Sequence, residues 1–171
     1  DERKLGRSAY KRRQGAARKA AKALAVGKPR LAFVSPLPPD RSGIADYSAD
    51  LLPALSRHYQ IDVVSDLPQI AAPWIASNLR QVSVRQFDHD AHRYDRILYQ
   101  IGNSTFHTHM FALLARHPGT VVLHDFFLSG LFNYLEATGE WPLVFQKNLY
   151  RSHGYPALCV YGRQGAEAAL W

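Results

Sequence analysis

The fold is decided by residues 30–65, which read RLAFVSPLPPDRSGIADYSADLLPALSRHYQIDVVS. The apolar run at 30–37 has the length and composition of a buried strand. A turn-rich loop follows, and apolar side chains then recur at helical spacing from Ile44 to Leu55, with Asp46 and Asp50 facing outward. Residues 59–65 predict a second strand. A strand, a helix and a strand in this order predict a parallel βαβ unit with a right-handed crossover.

The rest of the body continues this alternation. Apolar patterns predict strands at 96–101 and 120–123 and a short strand within 79–84. They predict helices at 106–116, 126–137, 142–153 and 165–171, whereas most of 66–93 gives no assignment. We therefore expect the α/β class, with a Rossmann-like open parallel sheet and helices on both faces.

The positive charge is concentrated at the start of the chain. The 171 residues carry a net charge of +7, but residues 1–30 hold 11 Lys+Arg against 2 Asp+Glu, and residues 31–171 hold 10 against 12. We expect a basic helical arm or interdomain linker at 1–29 and a Rossmann-like body at 30–171. The arm suits a spacer, or a contact of residues 1–28 with an anionic membrane surface. Nucleic-acid binding is disfavoured because no aromatic platform accompanies the charge.

The composition also bears on the cellular location of the protein and on metal binding. No apolar run reaches the length of a membrane span, no signal peptide is visible, and Cys159 is the single cysteine. These features predict a cytoplasmic location, with peripheral contact at the inner membrane face if the arm binds lipid. We expect no metal, since His107 and His109 lie about 200° apart around a helix. The chain begins with Asp1 rather than Met, so we expect a fragment of a longer protein.

Candidate site residues follow the predicted strands, because ligands of open parallel sheets bind at the carboxyl ends of strands. After the first strand, Ser42 is a candidate N-cap, and Gly43 allows a ligand to approach the backbone. Such a helix start suits a phosphate group, although a plain turn explains the same residues. No dinucleotide or P-loop glycine motif is present.

Two further loops carry polar side chains. Asn103 and Ser104 follow the strand at 96–101, where they bind a ligand or cap the next helix. His124 and Asp125 follow the strand at 120–123. His124 suits a general base, a hydrogen-bond donor to a sugar hydroxyl, or a helix-preceding residue. Asp125 is expected to cap a helix that begins at Phe126.

Three stretches carry a resemblance to a known family, namely residues 33–48, residues 99–104 with His107, and residues 121–125. Together they resemble the N-terminal half of retaining glycosyltransferases of the two-domain GT-B type. The family is glycosyltransferase family 4, which includes sucrose synthase and mannosyltransferases. The resemblance covers about residues 30–171 and points to bacterial polysaccharide or O-antigen enzymes.

The resemblance implies transfer of a sugar from a nucleotide-diphosphate sugar to a glycan or lipid-linked acceptor, with no bound cofactor or metal. Electrostatic stabilisation of the departing diphosphate would carry much of the catalysis. It implies that His124 is the catalytic-loop histidine and that Ser42 and Gly43 lie near the donor phosphates. It places the remaining candidates on the acceptor side, namely Asn103, Ser104, His107 and Asp125.

The family's second half, which holds the nucleotide pocket, has no counterpart in these residues. We therefore expect the 171 residues to lack the last strand or two of the first half and to be inactive by themselves. The alternative is a non-catalytic Rossmann-type module that binds a small anion or a partner protein. Binding of nucleic acid through the arm is a third and weaker interpretation.

Overall fold

The computed structural model describes residues 27–169, so the helix predicted for the basic arm lies almost wholly outside the described residues. The described part is an α/β fold with one open sheet, as the sequence predicts. None of the helices found within 27–169 is long and apolar enough to cross a membrane.

The sheet contains five parallel strands in the order β3-β2-β1-β4-β5. The strands are β1 (Arg30–Val34), β2 (Gln60–Val64), β3 (Arg80–Val82), β4 (Arg96–Ile101) and β5 (Thr120–Leu123). The chain moves from β1 outward to β3, then crosses to β4 on the other side of β1. This reversal is the topological switch point, where open α/β sheets bind their ligands.

Seven α-helices connect and flank these strands within residues 27–169. They are α1 (Gly43–Leu55), α2 (Pro73–Asn78), α3 (Val84–Asp90), α4 (Thr108–Arg116), α5 (Ser129–Ala137), α6 (Val144–His153) and α7 (Tyr155–Gln164). Short 3₁₀ turns precede β4 at Ala91–Arg93 and precede α4 at Thr105–His107. The predicted pattern of strands and long helices is thus confirmed from 30 to 123, with α2 and α3 added in the unassigned stretch.

The core has one layer on each face of the sheet, because successive strand side chains point to opposite faces. Leu31 and Phe33 of β1 face one side, where they join residues of β2, α1 and α2. Ala32 and Val34 face the other side, where they join residues of β4, α3 and α4. Both layers are buried, so the central strand β1 is covered on both faces.

The carboxyl-terminal helices differ from the sequence expectation. The helix predicted from 126 begins at Ser129, and Phe126 is 86% exposed in the loop before it. The helix predicted at 165–171 is wrong for the described residues up to 169, where Glu167–Ala169 is a 3₁₀ turn, and α7 at Tyr155–Gln164 was not predicted. Phe106 and Tyr47 belong to the apolar patterns of the predicted helices, yet both are partly exposed.

Candidate functional site

The candidate site lies at the carboxyl ends of β1, β4 and β5. The loop after β1 leads into α1, the loop after β4 carries Asn103 and Ser104, and the loop after β5 carries His124 and Asp125. Since β1 and β4 are neighbours at the switch point, a ligand is expected at these loops.

The start of α1 is an open helix N-terminus. Ser42 caps it, because its Oγ accepts a hydrogen bond from the Ile44 backbone N–H at 3.2 Å. Gly43 is exposed, and a Cβ added there would meet no atom within 4 Å. Folding therefore does not require glycine at this position. The exposed first turn can receive an anion, so the assignment of Ser42 and Gly43 to donor phosphates stays a prediction.

Gly102 is the point where the three loops meet. A Cβ added to Gly102 would lie 2.3 Å from Ile44 Cδ1, 2.9 Å from Asp125 Oδ2 and 3.3 Å from His107 Cε1. Only a residue without a side chain fits between these groups. In the sequence, Gly102 directly follows the strand predicted at 96–101, and the pattern did not predict this close packing.

Asn103 and Asp125 connect the loops to each other and to α5. Asp125 Oδ2 accepts a hydrogen bond from the Asn103 backbone N–H at 2.6 Å. The Asn103 side chain in turn accepts one from the Leu131 N–H, in the first turn of α5, at 2.9 Å. The prediction that Asp125 caps this helix is therefore wrong. Asn103 supplies the bond instead, because α5 begins three residues later than the apolar pattern suggests.

His124 is held from two sides. Its Nε2 lies 2.7 Å from Gln100 Oε1, and its ring meets the Tyr47 ring edge-on at 5.0 Å. With Nε2 donating to the Gln100 oxygen, Nδ1 is left as the acceptor nitrogen of the imidazole. The contact with Tyr47 also places the β5 loop beside the second turn of α1. Sequence analysis missed Gln100, whose polar side chain is fully buried within an otherwise apolar strand.

His107 is fully buried behind the loop after β4. Its Nδ1 lies 3.0 Å from Ser104 Oγ and 3.1 Å from the Ser104 carbonyl oxygen. Burial lowers the pKa of His107, which favours the neutral ring. Its Nε2 has no hydrogen-bond partner among the described residues. In this arrangement His107 supports the loop after β4. It was predicted to lie on the acceptor side, but its side chain is buried beneath the surface.

A cavity of about 420 Å³ opens beside this loop, between the ends of β1, β2 and β4. Asp40, Asp66, Thr105, Phe106 and His109 contribute to its lining, and the lining described within 27–169 contains no Lys or Arg. Partial removal from water lowers the pKa of His109, and nearby Asp66 opposes that effect. The cavity thus presents hydrogen-bonding groups and one aromatic face without a positive charge. Such a lining favours a neutral ligand rich in hydroxyl groups over a phosphate.

Within residues 27–169, no group of three or more His, Cys, Asp and Glu side chains is arranged to hold a metal ion. Comparison with protein-family models, with curated proteins and with solved structures gives no match for this chain. The class that can be stated is therefore the Rossmann-like α/β fold with polar loops gathered at its switch point.

Proposed function

We propose that this chain is the acceptor-binding half of a retaining glycosyltransferase, which moves a sugar from a nucleotide-sugar donor to a glycan or lipid-linked acceptor in bacterial surface polysaccharide synthesis. The observation that carries the proposal is the contact between His124 and Tyr47. It brings the candidate catalytic-loop histidine beside the helix whose start is suited to phosphate.

The start of α1 and the cavity beside Asp40 and Asp66 differ in charge, so they suit different substrates. The open start of α1 offers backbone N–H groups to an anion, such as the diphosphate of a donor. The cavity beside Asp40 and Asp66 suits the hydroxyl groups of an acceptor sugar, because carboxylates accept hydrogen bonds from hydroxyls. His124 lies among the same loops, where it can bind or orient the transferred sugar. This division supports transfer between an anionic donor and a neutral acceptor.

The test requires the complete open reading frame that contains these 171 residues, assayed with UDP-, GDP- and dTDP-sugars. We expect donor turnover, and we expect His124→Ala to lower it by about 10²–10⁴-fold with little change in melting temperature. His58→Ala is the matched control, because His58 is exposed at the end of α1, away from the strand ends that form the site.

Two results would decide against parts of the proposal. Near-wild-type turnover by His124→Ala would remove His124 from the mechanism. Absence of turnover with every nucleotide sugar would contradict the glycosyltransferase assignment. Anion binding that persists in that case would favour the non-catalytic module.

A further inference from the structure

A basic groove lies at the opposite end of the sheet from the candidate site. It has a volume of about 610 Å³ and is formed at the first residues of β1, β2 and β3, with the end of α1 and the turn before β4. Its charged lining consists of Lys28, Arg30, Arg80, Arg93 and Asp62. We infer that this groove binds a phosphate group, independently of the proposed glycosyltransferase function.

The charge of the groove contrasts with the rest of the described structure. Residues 27–169 contain 12 Lys+Arg and 12 Asp+Glu, so this region is neutral as a whole. Four of those cations line the groove, against the single carboxylate of Asp62. Asp95, which accepts from the Arg30 backbone N–H, and Asp90, beside Arg93, offset part of this excess, and the lining itself remains cationic. A cationic lining in a neutral body favours an anion.

The carboxylate of Asp62 is already occupied by partners on the sheet. It accepts hydrogen bonds from Arg80 Nε at 3.0 Å, from Arg30 Nη2 at 3.3 Å and from the Tyr94 hydroxyl at 2.8 Å. Although burial alone would raise it, these partners hold the pKa of Asp62 below its usual value. Asp62 therefore stays ionised and fixes both guanidinium groups at the groove, where they need no reorganisation to receive an anion.

The two arginines keep donors for a ligand. A guanidinium carries five N–H donors in a planar fork that matches the oxygens of a phosphate, and Asp62 engages only part of them. The Arg30 guanidinium also lies 5.1 Å from the centre of the Tyr94 ring, which fixes its plane further. Preorganised guanidinium groups with remaining donors favour phosphate over a simple halide, which forms no paired hydrogen bonds.

Lys28 and Arg93 contribute the more accessible charges. The Lys28 ammonium donates to the Ser56 carbonyl oxygen at 2.7 Å, and Arg93 makes only a long contact of 3.6 Å with Asp90. Both can turn toward a bound anion without breaking the Asp62 cluster. They are therefore the residues whose removal tests binding without unfolding the sheet.

The phosphate can come from a phospholipid headgroup or from a soluble phosphate compound. The sequence before the groove bears on this choice, since residues 1–27 hold 9 Lys+Arg against 2 Asp+Glu and lead directly into Lys28. Charge that adjoins Lys28 in the sequence would add attraction to an anionic bilayer.

The 171-residue chain is titrated with inorganic phosphate while backbone amide NMR signals are followed, and is co-sedimented with phosphatidylglycerol or phosphatidylcholine vesicles. The test variant is Lys28→Gln with Arg93→Gln. The control is Arg85→Gln with Arg163→Gln, which removes the same charge from exposed positions outside the groove. We expect phosphate to shift signals of Gln60, Ile61 and Arg80, and the test variant to raise the Kd at least about tenfold. The control should stay near wild type.

Co-sedimentation with vesicles identifies whether the phosphate comes from a lipid headgroup or from a soluble compound. If sedimentation with phosphatidylglycerol falls in the test variant and not in the control, the groove binds a lipid headgroup. If neither vesicle sediments the chain while inorganic phosphate still shifts the groove signals, the source is a soluble phosphate. The inference is overturned if phosphate shifts none of these signals, or if the test variant and the control bind phosphate equally. Vesicle binding that is present and equal in both variants overturns the lipid headgroup as the source.

Discussion

At the scale of single residues, the candidate site depends on the absence of one side chain. Gly102 allows the first turn of α1 to pack against the loops after β4 and β5, since any Cβ there would overlap Ile44 Cδ1. The same packing brings Asp125 within hydrogen-bonding distance of the Asn103 N–H. The position of these two polar groups thus follows from a steric requirement rather than from their own chemistry.

Gly102→Ala is expected to lower the free energy of unfolding by about 1–3 kcal/mol, because the added methyl overpacks a closed contact. Gly43→Ala is the matched control, since a Cβ there meets open space. Its effect should stay within about 0.5 kcal/mol. Urea unfolding of both variants measures the difference, and equal losses of stability would contradict the packing described at Gly102.

The candidate residues were found from the sequence because ligands of open parallel sheets bind at the carboxyl ends of strands. Polar side chains follow the apolar runs of two predicted strands, namely those of Asn103, Ser104, His124 and Asp125. The hydrogen bonds that connect these residues were not predicted. Gln100 escaped because burial of a polar strand residue depends on a partner 24 residues later in the chain, His124. Long-range pairs of this kind leave no periodic pattern in the sequence.

At the scale of elements, the predictions were accurate where the pattern was long and failed where it was short or misleading. β4 and β5 have the predicted bounds, and α1 begins beside its predicted cap, Ser42. The six-residue α2 is too short to show a helical period. The apolar pattern at Phe126 and Phe127 suggests a helix, but both side chains are exposed. They precede α5, which begins at Ser129 and whose first turn is bound by the Asn103 side chain.

Glu136 shows how one carboxylate fixes the helix that follows. Its Oε2 accepts hydrogen bonds from the N–H groups of Phe145 and Gln146 at 2.9 and 3.2 Å, in the first turn of α6. Its Oε1 accepts from the Gln146 side chain and from the Tyr161 hydroxyl of α7. Although partial burial opposes it, these bonds hold the pKa of Glu136 below its usual value. One residue of α5 therefore joins the last two helices.

Glu136→Ala is expected to cost about 1–2 kcal/mol at neutral pH, as for the loss of a helix cap. A carboxyl whose folded-state pKa lies below its unfolded value adds stability at neutral pH that is lost as the pH falls through the folded pKa. The difference between wild type and variant should therefore shrink in acid. Urea unfolding at neutral and acidic pH measures it, with Glu140→Ala, an exposed neighbour, as control. A pH-independent difference would argue against the ionised cap.

At the scale of the whole molecule, Asp62 connects three strands to one another, and to the segment before a fourth, through side-chain hydrogen bonds. It lies on β2 and joins Arg30 of β1, Arg80 of β3 and Tyr94 ahead of β4. The Asp62 side chain is only 7% exposed, whereas its partners Arg30 and Arg80 are 35% and 55% exposed, so a buried carboxylate holds two arginines that reach solvent. It joins the amino ends of β1 and β3 to β2 through side chains as well as through the backbone hydrogen bonds of the sheet.

Asp62→Asn is expected to lower the free energy of unfolding by about 1.5–3 kcal/mol, because it weakens the charge-assisted hydrogen bonds that the buried carboxylate accepts from Arg30 and Arg80. Since the pKa of Asp62 is lowered in the folded state, its contribution is present at neutral pH and lost as the pH falls through that value. Asp50→Asn, on the exposed face of α1, should change stability by less than about 0.5 kcal/mol. Chemical unfolding at neutral pH compares them, and similar values for the two variants would refute a stabilising role of the cluster.

Because the five strands are parallel, their amino ends and their carboxyl ends lie at opposite edges of the sheet, which separates the basic groove from the candidate site. The basic groove and the candidate site occupy opposite ends of β1, which at about 3.3 Å per residue is roughly 16 Å long. If the groove rests on a bilayer, the candidate site faces the aqueous phase at that height or more. If the proposed sugar transfer also holds, an acceptor with a single sugar at the headgroup level would stop short of the site, whereas the growing end of a longer glycan would arrive there. Acceptor length would then be selected by distance from the membrane, before any hydroxyl group is recognised.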